Sequence, residues 1–158
     1  DPRRVLAVGA RRRAQRRRRM IGAGAGRLEG IHHVRVPVAD LARSFAFYSE
    51  LLGFEREFDF PGRDGPSGWA LRHADGGPNL VLWHDPALAA ASAGFPWFSL
   101  GLPSAQAVID LAAELDRRGI AHGGVQPAFV EVKLPHVQDP DGHLIGFYVV
   151  LDPRSKNT

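Results

Sequence analysis

The sequence predicts an α+β fold built from two similar modules. Its 158 residues, 44% of them hydrophobic and 23% charged, fit one globular domain or two half-domains that share a core. The order of one strand, one helix and about three more strands occurs twice along the chain, and such repetition constrains the whole architecture. There is no cysteine, and no apolar run reaches the ~20 residues of a membrane span. Disulfides, thiolate metal sites, cysteine nucleophiles and a transmembrane helix are therefore excluded.

The first module is predicted over residues 31–85. Its first strand, residues 31–38 (IHHVRVPV), alternates, so that His33 and Arg35 share one face and the valines share the other. Asp40 is the expected N-cap of the helix, and Gly53 its end. The helix is predicted at 41–52, and the three further strands at 54–60, 68–74 and 79–84.

The second module is predicted over residues 96–151, after a connection at 85–95. It begins with a strand at 97–102, and Ser104 is the expected cap of its helix. The helix is predicted at 105–118, and the last strands at 128–134, 135–138 and 144–151. The sequence DPDG joins the final two strands as a turn.

The two ends of the chain differ from this body. Residues 1–20 contain nine arginines and one acid, whereas residues 21–158 contain 11 basic and 16 acidic residues, so the net charge of +3 reflects the tail alone. We interpret residues 1–30 as a disordered, Arg-rich and possibly non-native tail with a Gly-rich linker, the main domain as 31–152, and residues 153–158 as a C-terminal tail. The mildly acidic balance of residues 21–158 indicates that the body itself has no nucleic-acid partner, whereas the tail could act as an arm that binds nucleic acid or anionic lipid.

Two motifs resemble a known family. Residues 33–54, HVRVPVADLARSFAFYSELLGF, resemble the opening signature of the vicinal oxygen chelate superfamily, which includes glyoxalase I, bleomycin-resistance proteins and extradiol dioxygenases. Residues 139–145, DPDGHLI, resemble its last hairpin. The resemblance covers about residues 31–151 and implies two βαβββ modules that form a curved mixed sheet around a central cup. In many members this cup holds a divalent metal, with one ligand from each of four strands.

The metal-ligand positions that the resemblance implies are mostly lost in this chain. In chain order they correspond to His33, Val81 or Leu82, Trp97 or Phe98, and Gly146. Only His33 can bind a metal ion. His84 is a less favoured substitute, because it requires a shift of strand register, and an odd shift reverses the face. We therefore expect no metal site and no other cofactor. We interpret His143 as a solvated turn residue, and Asp139 and Asp141 as local caps of the turn.

Strand alternation predicts an aromatic pocket in place of a metal centre. Tryptophans offer faces on which a planar ligand can stack, and Arg35 with His33 can hold a carboxylate, phenolate or carbonyl group. Trp69 is expected to join them from the third strand. The predicted ligand-binding residues are His33, Arg35, Trp83, Trp97, Ser99 and Tyr148.

The sequence thus favours a cytoplasmic protein that binds a small aromatic or amphipathic molecule, without the usual metal. One alternative is a metal-dependent lyase, isomerase or dioxygenase that uses His33 and non-standard ligands; another is metal-free acid–base catalysis by His33. We expect a homodimer and no membrane partner.

Overall fold

The computed structural model describes residues 30–151, and these contain eight strands and three helices. The predicted C-terminal tail and residues 1–29 of the predicted N-terminal tail and linker lie outside the described residues. The elements are, in chain order, β1 (His33–Val38), α1 (Leu41–Leu52), β2 (Phe54–Pro61), β3 (Pro66–His73), β4 (Asn79–His84), α2 (Pro86–Ala91), β5 (Pro96–Gly101), α3 (Ala105–Arg118), β6 (Gln126–Pro127), β7 (Glu131–Gln138) and β8 (Leu144–Val150).

The strands form two four-stranded mixed sheets, one in each module. The first sheet has the order β1-β4-β3-β2 and the second has the equivalent order β5-β8-β7-β6. In each sheet the first strand of the module pairs in parallel with the last, and the other pairs are antiparallel. The predicted fold class, α+β with two strand–helix–strands modules, is confirmed.

Both long helices have the predicted bounds, because their capping residues act as expected. Asp40 Oδ1 accepts a hydrogen bond of 2.9 Å from the Arg43 amide, and Ser104 Oγ accepts one of 3.1 Å from Ala107. The helices end at Gly53 and Gly119, whose φ angles of 76° and 66° lie in the left-handed region.

The predicted connection at 85–95 is wrong in one respect, because it contains the short helix α2. Asp85 Oδ1 accepts a hydrogen bond of 2.9 Å from the Leu88 amide, and Pro86 occupies the first turn. Proline is favoured at this position, where its missing N–H is not needed. An N-cap followed by proline and an alanine-rich run was thus a readable helix signal.

The predicted strands at 128–134 and 135–138 are also wrong, since most of this region is the single strand β7. Its pairing with β8 shifts between Leu134 and Val137, and the strand continues beyond the shift. His136 has φ 60° at this irregularity. The third strand of the module is β6, only two residues long. A proline inside an apolar segment therefore marked a bulge and not a strand end.

The hydrophobic core lies on the helix-facing sides of both sheets. Val36, Leu82 and Tyr48 of the first module belong to the same buried cluster as Leu115 and Phe147 of the second. The opposite side of each sheet, which we call its open face, carries the side chains that alternate with these core residues. No helix in residues 30–151 is long and apolar enough to cross a membrane.

Candidate ligand-binding site

The open face of the first sheet carries a row of aromatic rings and one cation. The ring centroids of Trp83 and Phe60 are 5.8 Å apart, and those of Phe60 and Phe58 are 5.0 Å apart. The Arg35 guanidinium lies over Trp83, 4.5 Å from the ring centroid. We call these four residues the aromatic face. Its outermost member, Phe58, is 51% exposed, so the face is accessible from solvent.

Gly68 gives the aromatic face its shape. Its neighbours in the ladder are Phe60 on β2 and Trp83 on β4. A Cβ atom at this position would lie only 2.9 Å from the Trp83 ring and 2.7 Å from the Leu82 carbonyl oxygen. A glycine is therefore required where the two rings cross the sheet, because any larger residue would push the indole away from it.

The Arg35 side chain is exposed and has an aromatic partner, but no ion pair joins it to a carboxylate within the described residues. Arg72, by contrast, lies on the same open face and pairs with Glu55 at 3.0 Å. A guanidinium group retains five N–H donors for an incoming oxyanion. The aromatic face thus combines a stacking surface with an unpaired positive charge.

The open face of the second sheet carries two hydroxyl groups beside a glycine. Ser99 and Tyr148 flank Gly146, where a Cβ atom would lie 2.6 Å from Ser99 Oγ and 2.9 Å from Tyr148 Cε2. These residues line a shallow pocket of about 140 Å³ together with Pro135 and His136. The predicted residues Ser99 and Tyr148 therefore meet, and His136 joins them because the bulge in β7 places it there.

The other predicted site residues lie apart from these two groups. Trp97 is the extra residue where the β5 register shifts, and its ring packs 5.4 Å from both Phe95 and His143. His33 is exposed at the start of β1, where its Nδ1 lies 3.0 Å from Nδ1 of His32. The expectation that Trp69 joins the pocket is wrong. Trp69 packs against Phe45 of α1, on the helix-facing side of the sheet.

The residues present do not fit a divalent metal. Of the four strand positions that the resemblance implies, only His33 carries a metal-binding side chain. His33 pairs in register with Asn79 at the start of β4, whereas His84 is the last residue of that strand. Five residue steps along a strand separate these positions by about 16 Å. The described chain also contains no group of three His, Cys, Asp or Glu side chains arranged for a metal ion.

The turn between β7 and β8 fastens the two modules together. Asp139 accepts a hydrogen bond of 3.0 Å from the Tyr48 hydroxyl of α1. Asp141 accepts hydrogen bonds from the Ala39 amide and the Ser44 hydroxyl, and pairs with Arg43 at 2.6 Å. The interpretation of the two aspartates as local caps was incomplete. Asp139 does cap the turn, through the amides of Asp141 and His143, but both carboxylates also bind the first module.

His143 is not the solvated turn residue that was expected, because it is fully buried. Its Nε2 donates a hydrogen bond of 2.7 Å to the Pro37 carbonyl oxygen of β1. Burial raises the pKa of the Asp139 carboxyl, although the nearby His143 acts in the opposite direction. Burial and the adjacent Asp139 charge raise the pKa of Tyr48 well above its ordinary value. This turn is therefore a structural junction.

Phe58 and Phe60 are the site residues that sequence reasoning missed. Strand alternation would place Phe54, Phe58 and Phe60 on one face. The register of β2 shifts between Arg56 and Phe58, so Phe54 packs on Tyr48 in the core while the other two rings join the open face. No turn residue marks this bulge in the sequence. The available signal was the presence of three phenylalanines in one strand, at 54, 58 and 60. The core has no room for all three rings, so some of them had to lie on the open face.

Comparisons with known proteins agree with this architecture. Residues 30–147 match the sequence model of a family described as the Glyoxalase/Bleomycin resistance protein/Dioxygenase superfamily. TnmS3, an antibiotic-binding protein from Streptomyces sp. CB03234, is 24% identical with a TM-score of 0.61, over 78% of this chain and 97% of that chain.

Two further structures extend this likeness. A glyoxalase/bleomycin resistance protein from Streptomyces sp. CB03234 is 26% identical with a TM-score of 0.57, over 75% of this chain and 98% of that chain. A domain from Frankia sp. EAN1pec, of the glyoxylase/bleomycin resistance protein/dioxygenase type, is 18% identical with a TM-score of 0.65, over 80% and 96%. No curated protein matches the chain.

Proposed function

Since the chain belongs to the Glyoxalase/Bleomycin resistance protein/Dioxygenase superfamily, we propose that it binds a small aromatic or amphipathic molecule that carries an acidic group. The observation that supports this most directly is the Arg35 guanidinium over Trp83, at one end of an aromatic row whose other end, Phe58, is exposed. An antibiotic-binding protein among the similar structures is consistent with small-molecule binding.

The ligand's planar part would stack on the aromatic face. Aromatic pairs contribute roughly 0.5–1.5 kcal/mol beyond the area they bury. The acidic group would accept charge-assisted hydrogen bonds from Arg35, which no carboxylate within the described chain engages. Because the guanidinium already lies over Trp83, little side-chain freedom would be lost on binding.

We propose that Ser99, Tyr148, Trp97 and His33 complete the site from the second sheet and from the start of β1. Ser99 and Tyr148 offer hydroxyl groups beside the small space that Gly146 leaves. Ser99 and Tyr148 lie on a different sheet from Arg35 and Trp83, so a second copy of the chain could supply one half of the site to the other. Light scattering that shows a dimer supports this arrangement, and a monomer that binds with full affinity contradicts it.

The metal-dependent alternative keeps one supporting observation, which is His33 itself. Its neighbour His32 offers a second imidazole 3.0 Å away, but no third ligand joins them within the described residues. Metal analysis of the purified protein separates the two functions. Stoichiometric manganese, iron, nickel or zinc that is lost on His33→Ala would favour the metal-dependent enzyme.

A matched pair of dyes tests the proposed site. We expect an anilinonaphthalene sulfonate to bind and to quench tryptophan fluorescence. Arg35→Ala removes a charge-assisted hydrogen bond of about 1.5–3 kcal/mol, so its affinity should fall roughly ten- to a hundredfold. The uncharged phenylnaphthylamine analogue should lose little affinity in that variant. Trp83→Ala should weaken both dyes, because the stacking area does not depend on ligand charge.

Arg72→Ala is the control, since it removes an equal charge from the same face, where Glu55 already pairs with it. Its dye affinities should match those of the wild type, and added chelator should change none of them. Equal losses in the Arg35 and Arg72 variants would reduce the effect to general electrostatics. An unchanged sulfonate affinity in Arg35→Ala would refute the proposed site.

A further inference from the structure

A separate cleft of about 770 Å³ lies between the two modules, beside the edge strand β5. One wall comes from the end of α1, from Phe54 and from the turn at Asp75–Pro78; the other comes from β5 and the residues before α3. Leu52, Leu100 and Leu102 contribute apolar side chains to the lining, and the buried Phe147 ring lies beneath it. Pockets for drug-sized molecules have volumes of roughly 300–1,000 Å³ and mainly apolar walls, so this cleft has a suitable size and lining.

Gly101, in the wall of this cleft, is a glycine without a local structural cause. The φ angle of Gly101 is not positive, and a Cβ atom at this position would meet no atom within 4 Å. Glycine in a strand costs about 0.5–1 kcal/mol relative to alanine. A glycine inside a strand often marks a bulge, a tight bend, or a close approach of a ligand or another backbone. The β5 register shifts only between Pro96 and Phe98, so no bulge explains Gly101, and a ligand beside it is one such approach.

The backbone of β5 offers hydrogen bonds at the same place. β5 is an edge strand of its sheet, and the Leu102 amide donates to the Tyr148 carbonyl of β8 at 2.7 Å. In a parallel ladder, alternate residues bond to the neighbouring strand. Ser99 and Gly101 therefore turn their N–H and C=O groups away from β8, towards the cleft that both residues line.

The charges at the cleft disfavour an anion. Asp75 is the only acidic residue in the lining, and its side chain is 92% exposed at the rim. Both ring nitrogens of His73 are engaged within the protein, since its Nε2 donates to the Leu52 carbonyl at 2.8 Å and its Nδ1 accepts from the Asp75 amide at 3.1 Å. No cation lines the cleft within the described residues.

We infer that this cleft is a second small-molecule site, which takes a neutral or cationic, mainly apolar molecule with an amide-like donor and acceptor. The ligand's amide pairs with the free backbone groups of Ser99 and Gly101, and its apolar part lies between Leu52 of one wall and Leu102 of the other. The site is separate from the four residues of the aromatic face and prefers the opposite charge. It shares only Ser99 with the proposed function, which uses the hydroxyl group of that residue and not its backbone. It does not depend on the proposed function.

N-benzylbenzamide is the probe, and amide NMR of the full chain is the readout. We expect saturable shifts of the Ser99 and Gly101 amide resonances. Gly101→Leu adds bulk at the cleft wall without a local clash and should weaken binding at least about tenfold, the loss of roughly one buried side-chain contact. Ala113→Leu adds the same bulk on the exposed side of α3 and should leave binding unchanged.

Changes to the probe test the inference independently of any variant. N-methylation removes the amide donor and should weaken binding about threefold to tenfold. An ammonium-bearing derivative should bind about twofold to fivefold more tightly than the neutral probe, and Asp75→Asn should abolish that difference. A carboxylate-bearing derivative should bind more weakly.

Three results would overturn the inference: no saturable shift, full binding in Gly101→Leu, or shifts of Ser99 and Gly101 that follow protein concentration in place of probe concentration. The last would mean that a second copy covers the β5 edge. Arg35→Ala should not affect the probe, so failure of this site and failure of the aromatic face are distinguishable.

Discussion

The turns between the last two strands of each module occupy equivalent positions but do different work. In the first module the turn at Asp75–Pro78 is open, and Asp75 is 92% exposed. In the second module the turn at Asp139–His143 is buried against α1 and β1, and His143 is inaccessible to solvent. The position of a turn in its module therefore does not determine its structural role. That role depends on whether the side chains of the turn contact the other module.

The largest effect that follows from this difference is a loss of stability on Asp139→Ala. The change leaves the Tyr48 hydroxyl and the amides of Asp141 and His143 without their shared acceptor. Unsatisfied buried donors cost about 1–3 kcal/mol each, with partial relaxation, so we expect a loss of roughly 2–4 kcal/mol in the free energy of unfolding. Urea denaturation measures it.

Asp75→Ala is the matched control, because it also removes an aspartate side chain, but from the exposed turn of the first module. Surface changes of this kind usually lie within about 0.5 kcal/mol. Comparable losses in the two variants would show that the buried turn contributes no more to stability than the open one.

The contrast between the turns also shows where sequence reasoning succeeds. Asp40, Gly53, Ser104 and Gly119 fixed the ends of both long helices, since capping depends on neighbours within a few residues. The DPDG turn was equally readable as a turn. The burial of this turn could not be predicted from the sequence, because the partners of Asp139 and Asp141 lie about a hundred residues earlier in the chain.

The candidate site was partly readable for a similar reason. Alternation placed Arg35 and Trp83 together on one face, and Ser99 with Tyr148 on another, as the ladders have them. Alternation failed wherever a bulge shifted the register. The bulge in β2 hid Phe58 and Phe60, and the one in β5 gave Trp97 its neighbours Phe95 and His143.

Two glycines of the second sheet give an intermediate effect and sharpen the comparison within one module. Gly146 lies on β8, which leads away from the buried turn, and Gly101 lies on the β5 edge. A Cβ at Gly146 would lie 2.6 Å from Ser99 Oγ, 3.4 Å from Ser99 Cβ and 2.9 Å from the Tyr148 ring, so both side chains must move and Gly146→Ala should cost about 1–3 kcal/mol of stability. Gly101→Ala meets no neighbour and should raise stability by about 0.5–1 kcal/mol.

Thermal unfolding of the two alanine variants, side by side, measures this opposition. Stabilisation by Gly101→Ala would also show that the native structure does not need glycine at this position. A ligand in the cleft, and not the fold, would then be the reason for Gly101. A loss of stability in that variant would place an unrecognised contact at the β5 edge.

The smallest effect is a pH dependence of stability, because it comes from the protonation of a single side chain, Asp139. Burial raises the pKa of Asp139 above its ordinary value of 3.8 in the folded protein. Between the unfolded and the folded pKa, the native state binds the proton more tightly than the unfolded chain does. The stability that this proton contributes is therefore complete below pH 3.8 and is lost as pH rises through the folded pKa. Asp139→Asn cannot titrate, so the wild type should lose stability relative to this variant as pH rises across that window, and the difference should then level off. Urea denaturation of both proteins across that pH range measures the difference, and parallel curves would mean that Asp139 titrates alike in the folded and unfolded chains.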